Sequence, residues 1–166
     1  MVSEEELREF LGKVVIPGST AVVGIGNELR CDDGFGVYLA RSLSNLLARY
    51  SRRTCVVVVD AGTSLESYLD ILNTAKVSII LDTVEAPVPA SEIVVLDRHD
   101  IPKYSTTLST HTMGMDLVLS LVESSIYVIG TRPVCLDVKI GVTKPVARAI
   151  QKIVKAFIYV LKHMEC

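Results

Sequence analysis

Three apolar blocks, TAVVGIG at 20–26, CVVVVDAG at 55–62 and KVSIILD at 76–82, decide what this chain can fold into. Each is a short, β-branched run ending in glycine or aspartate, the pattern of a buried strand feeding a turn. Between the first two, Val37, Ala40, Leu43 and Leu47 recur at helical spacing from Phe35 onward, with Ser51-Arg52-Arg53 expected to end the helix. Strands joined by a helix-length crossover lie parallel, so the second block is expected to pair in parallel with the first.

The rest of the chain continues the alternation. Ser3 and Glu6 stand at capping-box spacing before a short helix with Leu7, Phe10 and Leu11 on one face, and Pro17-Gly18 is a turn. Ser64–Asn73 is expected to be a short helix, and Ala86-Pro-Val-Pro-Ala90 cannot continue a central strand because proline lacks the ladder donor. EIVVLD at 92–97 then reads as a strand nearer an edge, His99–Thr112 as an irregular polar loop, and Met113–Glu123 as a helix. IYVIG at 126–130 is a fifth strand, 133–141 a loop with room for a short strand, and Thr143 the cap of a last helix striped by Val146, Ile150, Ile153, Val154, Phe157 and Leu161. The expected fold class is therefore α/β: one three-layer αβα domain over 1–166, with a twisted, mostly parallel sheet of about five strands and helices on both faces. Residues 1–18 are set apart as an N-terminal extension.

Composition removes several function classes. Hydrophobic residues make up 49% of the chain, but no run approaches the ~20 apolar residues of a membrane span. The acidic start, MVSEEELREFLG, lacks a signal-peptide pattern. With a net charge of −2 and dispersed Lys and Arg there is no basic stripe for nucleic acid. Cys31, Cys55, Cys135 and Cys166 form no CxxC, so reduced thiols and a cytoplasmic home are expected. Cys31 stands out because it adjoins two aspartates.

Ligands of such folds bind beyond the carboxyl ends of the strands. That rule selects GIGNELRCDDGFG at 24–36, Asp60, Asp82 and the loop containing His111. GIGNEL has the first two glycines of a dinucleotide fingerprint but Leu29 where the third belongs, and Asp32 and Asp33 would repel a pyrophosphate. There is no Walker lysine, HExxH or GxSxG. Asp33, Asp82 and His111 could instead offer two oxygens and a nitrogen to a borderline divalent metal, with a position left open. Plainer roles compete at each position: a turn or cap for Asp60 and Asp82, a backbone-bonded loop histidine for His111, a cap of the following helix for Asp32. His99 reads as part of a solvated turn and His163 as a polar end to the last helix.

The ordered series VVGIGNELRCDDGFG (22–36), VVVDAGTSLE (58–66), SIILDTVEAPVPASEIVVLD (78–97), LSTHTMGMDL (108–117), YVIGTRP (127–133) and GVTKPVARAI (141–150) resembles the nickel–iron hydrogenase maturation endopeptidases. It is most similar to the branch serving the formate-hydrogenlyase type of hydrogenase, and the resemblance covers roughly residues 20–160. It implies that Asp33, Asp82 and His111 bind the nickel already installed in an immature large subunit, and that the enzyme then removes a C-terminal extension from it. Gly24, Gly26, Asn27, Asp60 and Gly62 are expected to shape the cleft, and 131–141 to set which precursor is accepted. Ala61 departs from the glycine of many relatives, which usually also lack the N-terminal extension.

The resemblance thus implies a peptidase of the aspartyl class, an enzyme activator in effect, that uses its substrate's nickel for recognition. The isolated protein is expected to hold no nickel of its own beyond an adventitious divalent ion. Asp33 or Asp82 could act as base in metal-assisted hydrolysis. The expected partner is the immature large subunit, with no nucleic acid and no membrane insertion, and the protein is expected to be a monomer. The alternatives are a non-cleaving metal-sensing scaffold for the precursor and, further off, a dinucleotide-binding enzyme.

Overall fold

The computed structural model describes residues 1–50, 55–104 and 115–166. Its sheet has five strands in the order β2-β1-β3-β5-β4: β1 Thr20–Ile25, β2 Val57–Gly62, β3 Val77–Thr83, β4 Val94–Asp97 and β5 Ser125–Thr131. All pairs are parallel except β4–β5, where the proline-bearing 86–90 segment returns the chain antiparallel at the edge. The helices are α1 Glu4–Val14, α2 Phe35–Arg49, α3 Leu69–Thr74, α4 Ile101–Tyr104, α5 Met115–Leu121 and α6 Lys144–Lys162. Short 3-10 turns precede α2 at Cys31–Gly34 and α3 at Leu65–Tyr68.

Two cores follow from the two-residue period of the strands. On one face Val22, Ile79, Leu81 and Ile129 pack with Leu7, Leu11, Phe35, Leu39, Phe157 and Ile153 of α1, α2 and α6. On the other, Val23, Ile25, Ile80 and Val128 meet Leu72, Ile101 and Val118 of α3, α4 and α5. The expected layers are therefore present. The Ser3–Glu6 capping box forms in both directions, at 3.1 Å and 2.7 Å. The extension at 1–18 is not an appendage: α1 packs on α6, Leu7 and Leu11 are fully buried, and Val2 bridges to Ile93.

Three expectations need correction. The second apolar block is parallel to the first but only partly buried, because β2 is an edge strand: Cys55, Val56 and Ala61 are covered while Val57 is 51% exposed. The loop expected from His99 contains the helical turn α4, with 105–112, including His111, outside the described residues, as is the helix end expected at Ser51-Arg52-Arg53. The cysteines are not free thiols. Cys31 pairs with Cys135 and Cys55 with Cys166, at Cα separations of 5.8 Å and 5.1 Å. The partners lie 104 and 111 residues apart in sequence, a pairing that no local spacing can announce. Thiol titration of the unreduced, denatured protein should accordingly find no free thiol, rising to four after reduction; four without reductant would overturn the pairing.

Candidate active site

The 3-10 turn Cys31–Gly34 sits between β1 and α2 because the chain has to reverse direction within a few residues while keeping its polar backbone satisfied. Asn27 fastens it as expected, its Oδ1 accepting from Leu29 N at 3.0 Å and its N–H donating to the Asp33 carbonyl at 3.1 Å. Arg30 O accepts from Asp33 N at 3.1 Å. Cys31 enters the turn at φ 52°, a left-handed conformation unusual for a residue with a side chain.

The glycines of the motif serve the protein's own packing. A Cβ on Gly26 would fall 1.8 Å from the Asp33 carbonyl oxygen, and one on Gly24 would fall 2.1 Å from that of Gly36. The strand end and the turn are thus pressed together, which explains these positions without any approach to a substrate. Gly62 instead supplies a positive φ of 53° at the end of β2, and its carbonyl accepts from Gly26 N at 2.8 Å.

Asp33 is 5% exposed, on a turn packed against β3, and Asp82 is 1% exposed at the tip of that strand. One Asp82 oxygen accepts from Thr83 N at 2.7 Å. The fold therefore brings these two carboxylates to the same carboxyl edge of the sheet, from positions 49 apart in number. Carboxylates are rarely buried so thoroughly unless paired, bonded or coordinating a cation. His111 lies outside the described residues, and among those described no group of three His, Cys, Asp or Glu side chains could hold a metal ion.

Asp60 is occupied elsewhere. Its Oδ2 accepts from Arg41 Nε at 2.6 Å and its Oδ1 from Gly62 N at 3.0 Å, while Arg41 also pairs with Glu28 at 2.5 Å. The hydrogen bond that Arg41 donates to Asp60, then that to Glu28, raises the Arg41 pKa above its ordinary value. Together these groups line a cleft of about 340 Å³ with Gly26, Asn27 and Thr63. Asp60 shapes the cleft rather than offering a free carboxylate.

Asp32 is not the helix cap expected of it: the helix that follows has no side-chain cap. Fully buried, it accepts from Val134 N (2.8 Å), Cys135 N (3.1 Å), Thr143 N (2.6 Å) and Thr143 Oγ1 (3.0 Å). Thr143 is the N-cap residue of α6, but its hydroxyl goes to Asp32 instead of capping that helix. Sequence reasoning missed this clamp, since its partners lie 102 to 111 residues away. Asp32→Ala would strand three backbone donors, and a loss of about 2–4 kcal/mol in denaturant unfolding is expected.

A profile described as hydrogenase maturation protease (HycI) matches residues 40–160, well over half of the chain. The chain belongs to the hydrogenase maturation proteases. The matched span contains Asp60, Asp82 and His111 and begins just after the Asp33 turn. The protease is 30% identical over 141 residues to the coenzyme F420 hydrogenase subunit delta of Methanothermobacter thermautotrophicus, covering 81% of this chain and 89% of that one. It is 25% identical over 138 residues to the hydrogenase 2 maturation protease of Escherichia coli, covering 78% and 82%. Three longer relatives, named hydrogenase expression/formation proteins, are matched over 55%, 50% and 64% of their own length. The fold matches the crystal structure of the maturation protease HycI from Thermococcus kodakarensis with a TM-score of 0.75 at 21% identity, over 93% of this chain and 99% of that one. The protein is thus a peptidase of hydrogenase maturation, and among its described residues no helix is long and apolar enough to cross a membrane.

Proposed function

We propose that this protease removes a C-terminal extension from the nickel-loaded large-subunit precursor of a nickel–iron hydrogenase, reading the nickel that the substrate carries. The observation that supports this most is the pair of buried carboxylates, Asp33 and Asp82, on adjacent elements at the carboxyl edge. With His111 they make two oxygens and one nitrogen, a donor set suited to nickel but sparse for a permanent resident. A substrate whose own side chains complete the coordination fits such a set. Asp33, Asp82 and His111 then clamp the metal, and the two carboxylates are the groups able to take a proton from the attacking water while the substrate's nickel polarises the bond.

Incubation with nickel-loaded and nickel-free precursor, followed by intact mass, tests the reading. Mass loss from the loaded form alone is expected. Equal cleavage of both forms would remove nickel recognition, and binding without mass loss would turn the protein into a scaffold. The isolated protease is expected to lack chelator-resistant nickel. We place it in the cytoplasm as a monomer, where the precursor is matured; the two disulfides make the thiol state of protein taken directly from cells the decisive check of that placement.

A further inference from the structure

Residues 132–143 form the loop between β5 and α6, and among the described residues they carry four exposed large apolar side chains. Val138 is 90% exposed, Ile140 74%, Val134 59% and Leu136 40%, and Leu29 beside them is 56% exposed. Single exposed apolar residues are ordinary, but five gathered on one loop and its neighbouring turn mark an interaction surface.

The loop is anchored at three kinds of contact. Asp32 accepts from Val134, Cys135 and Thr143, and Cys31 is bonded to Cys135. The main chain of Lys139 bridges to the turn, its N–H donating to Leu29 O at 2.9 Å and its carbonyl accepting from Cys31 N at 2.7 Å. An apolar surface held this way loses little conformational freedom when a partner covers it, so more of the contact energy appears as affinity.

We propose that Leu29, Val134, Leu136, Val138 and Ile140 are a preformed docking surface for the hydrogenase precursor, which rests on the processing function proposed above. Position selects this occupant. The loop leaves β5 at Thr131, whose strand partner Thr83 follows Asp82, and it is fastened to the very turn that presents Asp33. A polypeptide reaching Asp33 and Asp82 approaches the same turn and strand end from which this loop is held. Size argues against a second copy of the protease as the occupant: five side chains present on the order of 500 Å², below the roughly 800 Å² per partner of a stable interface. An enzyme–substrate contact extended by the cut segment itself has no such shortfall.

The test separates docking from cleavage. Affinity for purified nickel-free precursor, which the processing reading leaves uncut, is measured by calorimetry with the unaltered protease and again with the Val138→Asp and Ile140→Asp double variant. A rise in Kd of tenfold or more is expected, with an unchanged thermal midpoint. Val57→Asp, an exposed apolar change on the distant edge strand β2, should leave Kd where it was. An unchanged Kd in the double variant, or no binding of precursor at all, overturns the proposal. So does sedimentation showing that the protease self-associates and that the double variant does not. Failure of the processing reading shows separately, as absence of mass loss from precursor incubated with the unaltered enzyme.

Discussion

Asp33→Asn and Asp82→Asn are each expected to slow precursor processing by at least about a hundredfold, the usual scale for loss of a positioned acid–base or charge-stabilising group. Both substitutions keep side-chain shape, which matters because both sites are almost fully buried. An amide has weaker donor oxygens for a cation and cannot take up a proton from water. The unfolding midpoint separates the chemistry from the fold: loss of activity with the midpoint within a few degrees of the parent is the expected result. Processing at the parental rate by either variant would remove that carboxylate from the mechanism. Asp60→Asn serves as the contrast, since Asp60 already accepts from Arg41 and Gly62, and it is expected to retain most of the rate.

Gly36→Ala should cost about 3 kcal/mol or more of stability, the upper range for overpacking a filled interior. Its Cβ would lie 2.1 Å from the Leu81 carbonyl oxygen and 2.3 Å from that of Ile25. Both neighbours are backbone atoms in central strands, so no rotamer change relieves the overlap. The start of α2 would have to lift from the sheet, carrying with it the turn that holds Asp33. Gly12→Ala is the internal control: it lies within α1 with nothing inside 4 Å of the added Cβ, and there alanine should stabilise by about 0.5–1 kcal/mol. Chemical denaturation of the two variants beside the parent checks both signs. A Gly36→Ala protein as stable as the parent would mean that α2 does not press on β1 and β3 as described.

The elements legible from the chain are those whose signal is local. Strands β1 and β3 announce themselves by β-branched runs, α2 and α6 by apolar stripes, and α1 by its capping box. The carboxyl-edge rule selects the turn with Asp33, Asp60, Asp82 and the His111 loop, and the structure places Asp33 and Asp82 buried at that edge. β2 was the exception among the strands. Its valines suit a buried centre, yet strand order, which depends on where helices cross, puts it at the rim. The same limit hid the role of Asp32: adjacent aspartates look alike in sequence, and only the fold shows that one takes its hydrogen bonds from residues 134–143 while the other sits by β3.

What the sequence determined by itself is the class of fold and the residue types at the strand tips, because periodicity and turn chemistry act over a few residues. The tertiary structure decided which charges are spent internally. It gave Asp32 to the loop, Asp60 to Arg41 and the four cysteines to one another. Such pairings join positions far apart along the chain and are settled by packing geometry, to which no local pattern has access.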